Sequence, residues 1–167
     1  MRFKSLLKRI IIGLLAVAAI VGGVITIEIL GGKPMGLFSG SRPDGLGFNN
    51  GQFKPPSWKP NTVSSTVDKS DAKHFIAPIA FGNDAKTAWD RLAKIIKAQS
   101  GATIISEQSD YLYAEYKTTA MGFVDDVEFA LDNNAKVIHV RSGSRLGVRD
   151  FAVNRKRIEA IRTAFGQ

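Results

Sequence analysis

Two acidic residues two apart, Asp126 and Glu128, and a histidine and arginine two apart, His139 and Arg141, are the residues best equipped for chemistry in this chain of 167 residues. In an extended segment alternate side chains share a face, so each pair projects from one side of its strand. Carboxylates so placed sit roughly 6–7 Å apart at strand rise, a separation at which one can act as acid and the other as base in glycosidic cleavage. His139 adds a group that changes charge near neutral pH. Further on, Arg145 and Arg149 precede a helix-like segment, where guanidinium forks and the free N–H groups of a first turn suit a carboxylate or phosphate. Upstream, Tyr111 and Tyr113 alternate with Leu112 and Ala114, which puts two phenols on the same side as Glu115. These residues also have a plainer explanation, a solvated sheet face on which acids meet bases across neighbouring strands.

Other chemistries find little support. His74 and His139 are the only histidines and show neither HxH nor HxxxH spacing, so no metal site is expected. Cysteine is absent, which removes thiolate nucleophiles, thiolate metal sites and disulfides. The run Ser142-Gly143-Ser144 is not the GxSxG turn of a serine hydrolase. GLFSG and GLGFNNG have no preceding strand and no following GK[ST], so they are not phosphate loops, and no cofactor is expected.

The elements that must position these residues begin near Pro60. Asn83 is a candidate cap for a helix from Asp84 to about Ser100, with Ala85, Ala88, Trp89, Leu92, Ile95 and Ile96 on one face. Gly101 ends it. Four strands follow, Thr103 to Glu107, Asp110 to Lys117, Phe123 to Leu131 and Lys136 to Arg141. A second helix from about Phe151 to Phe165 takes Asp150 as its cap and Phe151, Asn154, Ile158, Ile161 and Phe165 as its stripe. The expected fold is α+β, a four-stranded antiparallel meander covered on one face by two helices, with the other face open. If Asn133-Asn134 is a two-residue hairpin loop, Phe129 faces Ile138 and Val127 faces Val140. On the opposite face Glu128 then meets His139 and Asp126 meets Arg141. By parity Asp125 points inward, near a strand end or toward a buried partner such as Asn154.

The net charge of +8 is unevenly spread: residues 1–30 carry +3, residues 31–60 carry +3, and residues 61–167 only +2. The globular part lacks the charge density that drives phosphate binding, so a nucleic-acid partner is not expected. The basic residues Arg2, Lys4, Lys8 and Arg9 instead precede Ile10 to Leu30, an apolar run of 21 residues interrupted by one ionisable group, Glu28. At helical rise such a run covers about 30 Å, the thickness of bilayer hydrocarbon. The expectation is a retained single-pass anchor, with a cleaved secretory signal as the alternative. The positive flank keeps residues 1–9 in the cytoplasm and sends the remainder to the periplasmic side of the inner membrane. Ala18, Gly22 and Thr26, with Ala19 and Gly23, put small residues one turn apart, a pattern that permits pairing of two such helices. Residues 31–59, rich in Gly, Pro, Ser and Asn, read as a tether to a domain of residues 60–167. Leu37, Phe38, Leu46, Phe48, Phe53 and Trp58 are apolar enough that some should pack on the domain or the membrane surface.

The segments PNTVSS (60–65), HFIAPI (74–79), DYLYAEY (110–116), FVDDVEF (123–129) and IHVRSGSRLGVRDFAVNRKRIEAIR (138–162) together resemble a bacterial and plastid family catalogued as domain of unknown function 1499. The resemblance covers roughly residues 42–165 and implies an envelope or membrane-associated domain without an established activity. Members often look like PCP…PNC ahead of VSS, whereas here those two places hold Pro56 and Thr62, so no cysteine pair can act there. The reading that follows is a membrane-anchored envelope protein that binds an envelope protein or a small anionic ligand. Its candidate surface is Tyr111, Tyr113, Asp126, Glu128, His139, Arg141, Arg145 and Arg149. The alternative is an envelope hydrolase using Asp126, Glu128 and His139.

Overall fold

The computed structural model describes residues 38–166. The expected anchor, Ile10 to Leu30, lies outside the described residues. Among the described residues no helix is long and apolar enough to cross a membrane.

The expected meander is present: β3 (Ala102–Glu107), β4 (Tyr111–Lys117), β5 (Val124–Asp132) and β6 (Val137–Ser144) pair antiparallel in sequence order. Two further strands were not anticipated. β1 (Thr62–Ser64) and β2 (Ile79–Ala80) both run antiparallel along the outer edge of β6, which makes the sheet six-stranded. Three residues and two residues are too short to show a period of two, and their neighbours are turn formers. Between them, Val140 N–H donates to Ser65 Oγ at 2.9 Å and Ser65 N–H donates to Val140 O at 2.9 Å. A serine hydroxyl thus completes the edge ladder where neither short strand reaches.

Helices α1 (Ala85–Lys97) and α2 (Val153–Phe165) bury Trp89, Leu92, Ile96, Ile158 and Ile161 against Leu112, Ala114, Val127, Phe129, Ile138 and Val140. The cap of α1 is Asp84, not Asn83: its Oδ1 accepts from Thr87 N–H at 3.0 Å, and the helix ends at Lys97, three residues before the expected Ser100. α2 begins two residues late. Phe151 and Ala152 take left-handed backbone conformations, φ 52° and 63°, which turns Phe151 out of the expected stripe to 85% exposure. The cap position is Ala152, not the expected Asp150, but the Asp150 carboxylate two residues earlier still serves the helix start, accepting from Ala152 N–H at 3.1 Å and Asn154 N–H at 2.9 Å.

The β5–β6 hairpin keeps the expected faces but not the expected partners. Residues 133–136 form a four-residue loop, held by Asp132 Oδ1, which accepts from Asn134 N–H and Ala135 N–H, with Lys136 at φ 54°. This slips the register by two, so Glu128 faces Arg141, Phe129 faces Val140 and Asp126 faces Gly143. A slip of two preserves which side each residue points to. Asp125 does point toward the helices, where it pairs with Arg157 at 2.5 Å; Asn154 is instead bonded to Ser142, Ser144, Asn61 and Asp150.

The second face of the sheet is not open. Residues 38–59 cross it as a strap from β4 to β6. Arg42 bonds Glu115 on β4, Gly47 N–H donates to Glu128 on β5, and Arg141 on β6 donates to Lys54 O at 3.2 Å. Phe53 is buried beneath the strap, edge-on to Phe48 at 4.8 Å, and Phe48 stacks on His139 at 5.4 Å. Asn50 and Gly51, φ 51° and 77°, form a tight reversal closed by Asn49 and Gln52. Gly40, φ 64°, lets the strap pass Arg145 and Leu146, where an added Cβ would stand 3.0 Å from Arg145 Cβ.

Candidate functional site

Seven of the eight candidate residues converge beneath the strap, on the sheet face that β4, β5 and β6 build by alternation. Glu128 is fully buried: its Oε1 accepts from Tyr111 O–H at 2.8 Å and Gly47 N–H at 2.7 Å, and its Oε2 from Arg141 Nη1 at 2.8 Å. Asp126, 1% exposed, accepts from Arg145 Nε at 3.1 and 3.0 Å, from Arg145 Nη2 at 2.7 Å and from Tyr113 O–H at 2.5 Å. Arg145 Nη2 also reaches Glu115 Oε1 at 2.5 Å and Tyr113 Oη at 3.1 Å, and Arg42 closes the cluster over Glu115 at 2.6 Å. Every buried side-chain nitrogen and oxygen among the described residues has a partner.

The electrostatics follow from this packing. Burial pushes the Tyr111 and Tyr113 phenols well above their usual range, and the adjacent carboxylates, Glu128 for one and Asp126 for the other, push them further. Burial raises Glu115 too, but hydrogen bonds from Arg42, Arg145 and Tyr113 outweigh it and hold the carboxyl below its ordinary value. Burial opposes the charge on Arg145, yet its bonds to Asp126 and Glu115 leave it an even stronger base than free arginine. The phenols are therefore donors to fixed anions. They are not acids poised to release a proton near neutrality.

His139 stands apart from the carboxylate pair. The register slip places it opposite Ala130, with Nδ1 3.2 Å from Ser65 Oγ and Nε2 3.8 Å from Asp132 Oδ2. Burial lowers its pKa, against the pull of Asp132. Serine, imidazole and carboxylate do line up here, a grouping the sequence analysis missed because Ser65 lies on the unanticipated edge segment. Ser65 Oγ already accepts Val140 N–H, however, and Asp132 Oδ1 holds the hairpin loop, so both ends of the line serve the backbone. His74 is likewise structural: it is buried, with Nδ1 2.7 Å from Asp71 Oδ2 and Nε2 donating to Lys59 O at 3.1 Å. No group of three or more His, Asp or Glu among the described residues is arranged to hold a metal ion.

Arg149 is the exception among the candidates. It is exposed, has no ion-pair partner among the described residues, and borders a cleft of about 250 Å³ at the end of the sheet where β5 starts and β6 stops. Phe123, Val124, Leu146, Phe151 and Val153 line the cleft, with Asp150 beside Arg149. A second hollow of about 400 Å³, more polar, lies between the strap and the β3–β4 turn and includes Tyr111, Gln108 and Asp110.

No curated protein and no solved structure matches the chain. The sequence model of one family matches residues 52–165, which takes in every strand, both helices and the C-terminal part of the strap. The chain belongs to that family, described as protein of unknown function, DUF1499.

Proposed function

We propose that the chain is an envelope protein anchored by Ile10 to Leu30 with its domain on the periplasmic side, where it works as a non-catalytic interaction module. The recognition surface in this reading is the loop 145–152 and the cleft beside it. One observation carries the choice of module over enzyme. Each carboxylate that a hydrolase would use is bonded to arginine under the strap, while the groups left open to a partner sit around Arg149. A buried ion cluster with every polar atom matched is costly to disturb and gives a substrate no access. The apolar run 10–30 with its basic flank supports the anchor, and the family match over residues 52–165, which spans the sheet and both helices, supports a shared module.

The experiment is alkaline carbonate extraction of the full-length chain from cells, combined with reporters fused after Gln167. The expected result is retention in the membrane pellet, an active alkaline phosphatase fusion and a dark green fluorescent protein fusion. Recovery in the soluble fraction, or a bright fusion, overturns the anchored reading. The hydrolase reading has its own test. Asp126→Asn with Glu128→Gln should lower the melting temperature; an unchanged Tm with loss of a measured ester or glycoside hydrolysis would replace the module with an enzyme.

A further inference from the structure

We infer that the end of the domain around the 145–152 loop is a lipid-facing surface that seats in the headgroup layer of an anionic bilayer. The inference rests on the anchored reading above and deepens it by naming what covers the open cleft. Eight large apolar side chains are exposed among the described residues, and six of them, Phe38, Met121, Leu146, Val148, Phe151 and Val153, belong to this one end. Pairing of Asp125 with Ser144 fixes that geometry, because it brings the β4–β5 turn alongside the loop that leaves β6. Monomeric proteins seldom leave so many apolar groups together without an occupant.

The backbone is spent on the same end. Helical periodicity would turn Phe151 into the core, yet two consecutive non-glycine residues in the left-handed region hold it outward. Such conformations are unfavourable for Phe and Ala and persist where the surroundings impose them. Here Asp150 imposes them through its bonds to Ala152 N–H and Asn154 N–H. The charges agree with lipid. Arg149 and Lys156 are exposed, whereas the acids at this end are engaged, Asp150 with the helix start and Asp125 with Arg157. An apolar surface rimmed by basic side chains is the pattern of proteins that lie on anionic headgroups. Phe38, its ring tilted against Phe123 at 5.2 Å, belongs to this end as well.

The test uses the full-length chain reconstituted in vesicles of phosphatidylcholine and phosphatidylglycerol, some with brominated acyl chains. Phe151→Trp places a reporter at the proposed surface, and Asn134→Trp places one in the hairpin loop at the other end of β5 and β6; Trp58 and Trp89 contribute equally to both. The expected result is strong quenching of the residue-151 probe by brominated lipid and little of the residue-134 probe, with Arg149→Glu weakening the first without changing Tm. A residue-151 probe quenched by aqueous iodide as fully as free tryptophan overturns the lipid surface while leaving the anchor standing. A probe shielded from iodide yet untouched by brominated lipid overturns it in favour of a protein partner or a second copy. A chain that does not remain with the vesicles at all overturns both readings.

Discussion

Arg145→Ala should be among the most damaging single substitutions in the domain, although the side chain belongs to a loop. The guanidinium makes three contacts of 2.7–3.1 Å with Asp126 and one of 2.5 Å with Glu115. Glu115 keeps Arg42 when Arg145 is removed, but Asp126 keeps only Tyr113 O–H. Two charges about 3 Å apart attract by roughly 5 kcal/mol at the effective dielectric that suits such sites. Removing one partner of a buried pair typically costs about 3–5 kcal/mol, because the other charge is left stranded. Asp126 is nearly inaccessible, so water cannot repair the loss. For a domain of this size that corresponds to a fall in Tm of roughly 10 °C or more. Urea and thermal unfolding can be followed by Trp89, which is buried and donates to Gln108 O at 2.8 Å. Adding Asp126→Asn to Arg145→Ala removes the stranded charge and should restore part of the loss, a coupling of about 1–3 kcal/mol. Arg149→Ala, four residues away and exposed, should change stability by less than about 0.5 kcal/mol. A loss below about 1 kcal/mol for Arg145→Ala would refute the claim that this cluster is a sealed structural unit.

Phe53→Ala should cost about 3–5 kcal/mol and open residues 42–59 to limited proteolysis before the sheet unfolds, since Phe53 is the buried apolar contact of the strap. Asn154→Ala should cost about 2 kcal/mol or more, read by urea titration, because it strips partners from Asn61 O, Ser144 and Arg157 at one buried point. The pH profile of stability should show two acid limbs. His139 has its pKa lowered in the fold, so the unfolded chain takes up a proton first and stability falls as pH drops below 6.5; His139→Gln should flatten that limb. Glu115 is held below its ordinary 4.5, so its contribution is whole above that pH and is lost on further acidification, and Glu115→Gln should remove this lower limb in a Tm series from pH 7 to 3.

Much of the sheet was legible because alternation is a local signal. Tyr111, Tyr113, Glu115, Asp126, Glu128 and Arg141 do share one face, and Leu112, Ala114, Val127 and Phe129 share the other. The hairpin partners were misjudged because Asn133-Asn134 resembles a two-residue turn, while Asp132 instead anchors a longer loop through its side chain. The strap was hidden for a different reason. Its contacts with the sheet join residues 73 to 87 apart in sequence, and its interior has no period. Two signals were available: the apolar side chains Phe48 and Phe53, which do pack on the domain, and the pair Asn50-Gly51, a dipeptide that favours a tight reversal and argues against a plain tether. Phe151 misled because helical periodicity was carried two residues past the point where the backbone turns left-handed. Arg141 and Arg145 read either as ligand contacts or as partners of neighbouring acids; in the fold Arg141 pairs with Glu128, which the two-residue register shift brings opposite it, and Arg145 with Asp126 and Glu115.

The direction in which residues 38–59 cross the strands has a mechanical meaning. Arg42 is joined to β4, Gly47 to β5 and Lys54 to β6, so these attachments lie in series along the segment. Tension drawn from the N-terminal side would meet them one after another, the way a zip opens, and never all together in shear. The layer would peel away at low force with the helix-backed core intact, uncovering a pre-formed acidic and tyrosine-rich floor.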